Sequence, residues 1–365
     1  ADFPNRKNEK WKYTNVNGLS KLSFNGFNSD FFGKNEISNS SEKLIISNGK
    51  LADNHPTISG VKTIWEKLPD TTPQDPFDAL NILYCTQAIE ITIGKEENRK
   101  DIEVVFENTK NTYVFPRIYI RCQKGAKGTV ILNYQGAKDN ASFTNVSTFI
   151  EVEENAHLSV HKIQKNGEGA FDLQRDYVNQ AANSSFTINT FSVSGKMTRN
   201  DLWINVNGNN CETFMNGAYT LKDKSHCDNH TTVDHKVAHC YSKELYKGVV
   251  DDRATSVFNG KVFVRKDAQK INAFQSNANI LLSETGTVNS KPELEIYADD
   301  VKCSHGSTTG QLDDEAIFYL RSRGLSEKGA KELLVKAFLG EVLEEVEHED
   351  VRSYVEEQIE NHFSA

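Results

Sequence analysis

Cys303 and His305, near the C-terminal end of the chain, carry the thiol and imidazole groups that bind iron, zinc and iron–sulfur clusters in proteins. They lie in residues 294–310, LEIYADDVKCSHGSTTG, which read as a strand that runs into a turn. Side chains alternate between faces along a strand, so Val301, Cys303 and His305 would share one face. A closed metal site usually needs about four ligands. The pair is therefore either structural or one half of a site that another group completes.

A second concentration of ligand-type residues lies further upstream. It contains four of the ten histidines of the chain, namely His226, His230, His235 and His239. On a helix, His226 and His230 would share a face, as in zinc proteases, but the β-prone residues 231–233 and the missing glutamate disfavour that chemistry. On a strand, the first two histidines would face one way and the last two the other. The segment is therefore either a zinc site or a set of polar positions in a β array.

Composition and charge exclude several classes of function. No apolar run approaches the roughly 18 residues that span a bilayer, and no signal-peptide pattern opens the chain, so we expect a cytoplasmic protein without a membrane partner. The six cysteines form no Cys-x-x-Cys pair, which favours free thiols. Of the net charge of −9, a balance of −8 falls in residues 311–365, and we find no basic patch that would bind nucleic acid.

The common catalytic motifs are absent from the sequence. It contains no Gly-x-x-x-x-Gly-Lys-[Ser/Thr] phosphate loop, no Gly-x-Ser-x-Gly nucleophile elbow and no dinucleotide fingerprint. Any step that is driven by ATP would therefore need a partner.

The pattern of the sequence divides the chain into three regions. Residues 1–100 form a mixed region, in which residues 75–92 are predicted to be a helix that begins beside Pro76. Residues 101–310 contain short segments rich in Val, Ile, Thr, Phe and Tyr that recur about every ten residues and are separated by Gly, Asn and Asp. Their number, the abundant Asn and the scarcity of Asn-Gly hairpin turns favour a β-solenoid over a sandwich or a barrel.

Residues 311–365 are predicted to be a helical subdomain of three helices. Asp313 or Asp314 can cap the first, which stops at Gly324, while Ser326 opens the second and Asp350 can cap the third. The predicted apolar stripe of the second helix consists of Ala330, Leu333, Leu334, Ala337, Phe338, Val342 and Val346. Such a subdomain packs on the β body, presents a face to another chain, or does both.

Several segments of the chain resemble one known family. They are YSKELYKG (241–248), FNGKV (258–262), QSNANILLS (275–283), PELEIYADDVKCSHG (292–306), GQLDD (310–314) and FYLRSRG (318–324). Together they are similar to the SufB/SufD proteins, the core subunits of the SUF machinery for iron–sulfur cluster assembly. EKWKYT (9–14) and the Cys-Ser-His-Gly motif are typical of the SufD branch rather than of SufB.

The resemblance implies a fold and a set of partners. The family fold is a right-handed parallel β-helix between N-terminal and C-terminal helical regions. SufD pairs with SufB through the β-helix, each binds a SufC ATPase through its C-terminal helices, and the SufB–SufD interface hosts the nascent cluster. A homodimer of the isolated chain is expected, because SufB and SufD share a body plan. Family members usually carry helical sequence ahead of EKWKYT, so we expect the start of this chain to be trimmed.

The resemblance also assigns residues. The interface histidine of the family maps onto His305, with Cys303 as its neighbour. The SufC-docking helices map onto the C-terminal region, with Phe318, Leu333, Leu334, Phe338 and Val342 as the apolar docking residues. The chain would then be a scaffold without catalytic activity, and it would share a transient cluster with SufB while holding no cofactor tightly.

Two other functions stay open from the sequence alone. One is a β-helix enzyme that acts on carbohydrate, and the other is a zinc-binding protein that uses the segment from His226 to His239. Enzymes of the first class are typically secreted, which the absence of a recognisable export signal disfavours.

Overall fold

The computed structural model describes residues 3–21, 37, 41–52, 57–64, 73, 75–85, 87–95, 101–108, 112–136 and 141–364. Strands make up 52% of the chain and helices 18%, which confirms the predicted mainly β class. No helix within these ranges is long and apolar enough to cross a membrane.

The strands follow one another closely along the chain. In order they are β1 (Glu42–Ser47), β2 (Lys50–Leu51), β3 (Val61–Ile64), β4 (Ala88–Ile93), β5 (Ile102–Asn108), β6 (Tyr113–Val114), β7 (Arg117–Cys122), β8 (Lys127–Gly136), β9 (Phe143–Val152), β10 (His157–Lys165), β11 (Phe171–Gln180), β12 (Ser185–Ser194), β13 (Met197–Val206), β14 (Glu212–Leu221), β15 (His226–His235), β16 (Tyr241–Val250), β17 (Thr255–Val264), β18 (Ile271–Leu281), β19 (Thr287–Ile296) and β20 (Val301–Gly310). The helices are α1 (Pro76–Tyr84), α2 (Asp314–Ser322), α3 (Glu327–Glu344) and α4 (Glu349–Ser364), and short 3₁₀ segments cover Glu9–Trp11 and Val16–Lys21.

The strands form a parallel β-solenoid, as predicted. In sheet A the order is β2-β1-β5-β8-β10-β12-β14-β16-β18-β20, and in sheet B it is β19-β17-β15-β13-β11-β9-β7-β4-β3, with β6 beside β9. From β7 onward, successive strands alternate between the two sheets, so each coil adds one strand to each sheet. Most neighbours run parallel and in continuous register, which stacks the inward side chains of one coil on those of the next.

The corners of the solenoid explain the abundance of asparagine. Asn155, Asn183 and Asn210 occupy equivalent corners of successive coils and have φ values of 58°, 57° and 56°. Asparagine tolerates this left-handed conformation better than most residues. On the outer face of sheet A, the Asn216 amide donates to Asn189 Oδ1 at 2.9 Å, so stacked asparagines also join neighbouring coils.

The two ends of the solenoid differ. At the first end, the short strands β2 and β3 pair antiparallel with β1 and β4 and cover the sheet edges. At the last end, β19 and β20 are the outermost strands, and no described strand pairs with their free edges. One end is therefore capped and the other is open.

Two local predictions are wrong. The turn near the C-terminal site lies between Ile296 and Val301, so residues 294–296 end β19 and residues 301–310 form one strand of the other sheet. The predicted helix over residues 75–92 begins where expected, because the Asp75 side chain caps it by accepting a hydrogen bond from Asp78 N, but it ends at Tyr84. Residues 88–93 are instead β4, because their alternating isoleucines reach the core and pair with β7.

The C-terminal helices pack on the outer face of sheet A. Asp313 and Ser326 cap α2 and α3 as predicted, whereas Asp350 lies inside the first turn of α4. The buried residues of α3 and the following turn are Ala330, Val335, Leu339, Val342, Leu343 and Val346. This set differs from the predicted stripe because α3 contacts both sheet A and α4, which leaves Leu333 and Ala337 exposed.

Two lysines of β16 anchor α3 from the outer face of sheet A. Lys243 Nζ lies 2.7 Å from Glu345 Oε1, and Lys247 pairs with Glu341. Lys247 Nζ also lies 4.5 Å from the centre of the Phe338 ring. Between these lysines, Leu245 joins the apolar cluster that the helices form on the sheet.

Inside the solenoid, glycines make room for tyrosine rings of neighbouring strands. A Cβ at Gly248 would overlap the ring of Tyr219, which is fully buried. We therefore expect Gly248→Ala to lower the free energy of unfolding by about 1–3 kcal/mol, since overpacked cores lose roughly that much. Urea denaturation measures this loss. Gly306→Ala is the control, because nothing lies within 4 Å of its added methyl, and an equal loss in both variants would contradict the packing explanation.

Candidate functional site

Cys303 and His305 share one face of the last strand, as the sequence predicts, and the pairing of this strand shows that the face points inward. In the parallel pairing of β18 with β20, Cys303 stands beside Ala273 and His305 beside Gln275. Ala273 and Gln275 are both buried inward residues. Cys303 packs against the interior core, and partial burial raises the pKa of its thiol above the ordinary value. His305 is exposed at the open end.

The open end of the solenoid combines an unpaired strand edge with exposed apolar side chains. Along its free edge, β20 presents backbone N–H and C=O groups that no described strand satisfies. The exposed large apolar residues nearby are Phe274, Ile296 and Tyr297. Long exposed edges of this kind are templates for pairing with another chain.

A polar column runs through the interior behind His305. Glu244 in β16 stands in register with Gln275 in β18, and Gln275 Nε2 donates to Glu244 Oε2 at 2.7 Å. The hydroxyl of Thr231 donates to the other carboxylate oxygen at 2.6 Å. Burial raises the pKa of Glu244 to about 7, although both donors oppose the shift. The column therefore holds a carboxyl group that changes its charge near neutral pH.

The structure separates the four histidines of the upstream segment. His226 and His230 lie on one face of β15, where His230 Nε2 is 2.9 Å from Asp228 Oδ1. His235 is buried on the opposite face beside Ser242, and burial lowers its pKa to about 4. His239 is exposed in the following turn at a φ of 63°. In the described ranges, no three His, Cys, Asp or Glu side chains are grouped so that they could hold a metal ion.

His226 instead takes part in fixing the N-terminal segment. Thr14 Oγ1 lies 2.8 Å from His226 Nε2 and also bonds to Asp228. Arg199 donates to Asp228 Oδ2 at 2.6 Å, and its guanidinium lies 3.9 Å from the centre of the Trp11 ring. Burial alone would raise the pKa of Asp228, but Arg199 and the histidines hold it far below the ordinary value. The EKWKYT segment is thus bound to the body by a buried charge cluster.

The predicted docking residues differ in accessibility. Phe318 in α2 is 75% exposed and Leu333 in α3 is 45% exposed. Leu334 and Phe338 are half-buried, and Val342 is completely buried between α3 and the body. Tyr319 and Leu325 extend the exposed apolar surface around Phe318. Among the described side chains of the helical region, the large apolar ones that are exposed therefore lie in its first part, up to Leu333.

Sequence reasoning missed the residues that support the site. Glu244 and Gln275 are 31 positions apart, and their contact depends on the register between coils. The available signal was the alternation within YSKELYKG, which places Glu244 on the same face as the buried residues Ser242 and Tyr246. A carboxylate at an inward position needs a specific partner.

The arrangement suits a shared rather than a closed site. One thiol and one imidazole stand two residues apart on the inward face of β20, a strand with one edge that no described strand pairs with. A strand added to this edge would lie about 4.8 Å away and bring its own side chains beside them. Ligands from both chains would then complete a thiolate and imidazole site.

Comparison with known proteins gives consistent matches. Residues 105–338 match the family model described as SUF system FeS cluster assembly, SufBD core domain. The iron–sulfur cluster assembly protein SufD of Escherichia coli is 28% identical over 97% of this chain and 88% of its own length. An iron–sulfur cluster assembly SufBD family protein of Synechocystis is 31% identical over 76% of this chain and 64% of its own length. The chloroplastic protein ABCI7 of Arabidopsis thaliana is 30% identical over 68% of this chain, which spans about half of that relative, 52%.

The buried carboxyl group of Glu244 predicts a pH dependence of stability. Its pKa is raised from 4.5 to about 7 in the folded chain, so the folded chain holds this proton more tightly than the unfolded chain does. The stability that the proton contributes is fully present below pH 4.5 and is lost as pH rises through 7. Glu244→Gln should not show this loss. Its free energy of unfolding, relative to that of the wild type, should therefore rise by up to about 3 kcal/mol between pH 4.5 and pH 8. Urea denaturation at both pH values measures this difference. Glu212→Gln, at an exposed position of β14, is the control, and parallel pH profiles of the wild type and Glu244→Gln would contradict the prediction.

Proposed function

The chain belongs to the SufBD family of iron–sulfur cluster assembly proteins, and on this premise we propose that it is the SufD-like subunit of a cytoplasmic SufBCD scaffold complex. In this role it pairs with a SufB-like subunit through the open end of the solenoid and binds the SufC ATPase through α2 and α3. The nascent cluster is its cargo rather than a resident cofactor. The chain itself performs no catalysis, and ATP hydrolysis belongs to SufC.

The observation that carries the proposal is the unpaired edge of β20 with His305 and Cys303 on its inward face. A ten-residue strand with one free edge gains backbone hydrogen bonds when another strand is added. A partner solenoid satisfies β19 and β20 together, since both end their sheets on the same side. The exposed Phe274, Ile296 and Tyr297 would then be covered by the same contact.

The ligand count supports transient binding of a cluster. A site with two ligands on one chain binds poorly until the partner supplies the rest. Separation of the two chains halves the ligand set and weakens the hold on the cluster. In the isolated chain, we propose that a second copy takes the place of SufB at the same edge.

The surface of α2 and α3 supports binding of SufC. Phe318, Tyr319, Leu325 and Leu333 form the exposed apolar part of this region. Residues of both charges lie among them, with Arg321 and Arg323 close to Phe318 in the sequence and Glu332 next to Leu333. An apolar contact with a mixed charged rim fits a partner surface that has charged residues of both signs around an apolar groove.

His305→Ala should leave the fold intact and lower the rate of cluster assembly at least about ten-fold, since a lost metal ligand costs no less than a lost supporting residue. The assay reconstitutes the chain with SufB and SufC and follows cluster transfer to an apo-ferredoxin by visible circular dichroism. Ser304→Ala is the matched control, because Ser304 is exposed and lies on the opposite face of β20. Assembly at the wild-type rate in His305→Ala would refute a role of His305 in the shared site.

Leu333→Asp and Phe318→Asp should each weaken binding of SufC at least about ten-fold, since central apolar residues dominate most interfaces. Isothermal titration calorimetry with purified SufC measures this, and far-ultraviolet circular dichroism verifies the fold. Leu83→Asp is the control, because Leu83 is a leucine of α1 that is 74% exposed. Equal affinity in all three variants would exclude this docking surface.

A chain that captures neither a SufB-like nor a SufC-like partner on co-purification would overturn the whole proposal.

A further inference from the structure

The polar column continues into the last coil. Ser307 Oγ donates to Ser290 Oγ at 2.7 Å, and Ser290 in turn donates to Asn277 Oδ1 at 2.8 Å. Ser307 and His305 both belong to the inward face of β20, where they stand in register with Asn277 and Gln275. The inward face of β20 is therefore linked to the polar interior rather than separated from it.

Gln275 has one satisfied and one unsatisfied polar atom. Its Nε2 donates to Glu244, whereas its Oε1 has no hydrogen-bond partner among the described residues, although the side chain is only 3% exposed. An ionised carboxylate only accepts hydrogen bonds, so it fixes the amide with its nitrogen toward Glu244. Glu244 and His305 are the register neighbours of Gln275 on its two sides. The carbonyl oxygen without a partner thus belongs to Gln275, which stands between Glu244 and His305 along the column.

A neutral imidazole carries a hydrogen on one ring nitrogen and a lone pair on the other, and only the second nitrogen binds a metal. In metal sites, the acceptor behind a histidine decides which nitrogen carries the hydrogen. The imidazole of His305 forms no hydrogen bond with any residue that the structure describes. A buried carbonyl oxygen without a hydrogen-bond partner belongs to Gln275, the register neighbour behind it.

We propose that Gln275, held by Glu244, is a positioning residue that sets which ring nitrogen of His305 carries the hydrogen. The inference rests on the proposed function, because it assigns His305 the role of a ligand. With Glu244 ionised, the Gln275 carbonyl accepts from the nearer ring nitrogen and leaves the farther one free to bind iron. Gln275 touches neither cargo nor partner in this role and acts only through His305.

The same pair makes the arrangement reversible. When Glu244 takes up a proton, its hydroxyl donates to the Gln275 carbonyl, and the amide turns its NH₂ group toward His305. The nearer ring nitrogen must then carry the lone pair, so the hydrogen moves to the farther nitrogen. This exchange falls near pH 7, where burial sets the pKa of Glu244.

No other buried side chain around Glu244 within the described residues competes as a charge near neutral pH. The titratable inward side chains of the strands packed around Glu244 are Tyr219, Cys227, His235 and Tyr246, besides Cys303 and His305 at the open end. Burial raises the pKa of both tyrosines and raises that of Cys227 to about 12, and it lowers the pKa of His235 to about 4. These four groups are therefore uncharged at pH 7.

The test reads the tautomer of His305 directly. Long-range ¹H–¹⁵N spectra of the full chain labelled with [¹⁵N]histidine distinguish the two tautomers, and His305→Asn identifies the signal. In the wild type we expect one tautomer to dominate at pH 8, and the population of the other to increase as the pH is lowered through 7. Gln275→Met, similar in size but without an acceptor, should give a mixture that is constant with pH. Glu244→Gln should also remove the pH dependence, and Ser276→Ala on the exposed face of β18 should leave the wild-type profile.

A wild-type tautomer ratio and pH profile in Gln275→Met would overturn the proposal. If that variant misfolds, Glu244→Gln decides: a retained change across pH 7 overturns it and a flat profile supports it. In cluster assembly at pH 8, Gln275→Met should lower the rate about ten-fold, the cost of losing a residue that orients a ligand, and Gln275→Glu should restore part of it. Altered tautomers together with normal assembly in His305→Ala would refute the proposed function while leaving the positioning by Gln275 intact.

Discussion

Each coil of the solenoid is held by backbone hydrogen bonds to the coils on either side, and the last coil has only one such neighbour among the described residues. The first end avoids this problem with two short antiparallel strands, whereas β19 and β20 end without a cover. A parallel array gains stability with every strand that is added, so an uncovered end favours a partner with the same spacing. The candidate site lies at this end, on a strand whose inward residues His305 and Ser307 are exposed.

The interior of the solenoid is more polar than a usual protein core, and the register makes this tolerable. In-register stacking places an amide beside an amide or a carboxylate, so inward polar groups find partners one coil away, as Asn200 does with Asn229. An amide at the end of such a stack loses its outer neighbour. Gln275, with its unpaired Oε1, is the inward amide at that position beside His305. An inward polar group without a hydrogen-bond partner therefore lies next to the open end.

Local sequence signals predicted the elements of the fold better than their connections. The caps at Asp313 and Ser326 and the placement of Cys303 and His305 on one face of a strand follow from short-range rules, and the structure has them where the sequence predicts. The turn after Ile296 was missed because the residues there have no Pro or Gly to mark it. The hydrogen bond between Glu244 and Gln275 could not be predicted, since it depends on how many residues each coil contains. The buried face of α3 also depends on two packing partners that its own periodicity does not identify.

The anchoring of α3 on β16 has a mechanical consequence. Lys243 and Lys247 hold the helix from the outer face of the strand, and Glu244, between them in sequence, points to the inside and holds Gln275. A force on α3 thus acts on the outer face of β16 and is transmitted through its inner face. Only β18 lies between β16 and the edge strand β20. The path from helix anchor to open edge crosses two strand spacings, about 10 Å. In a stack whose coils contact only their neighbours, a displacement of α3 would therefore reach the open end through few intervening strands.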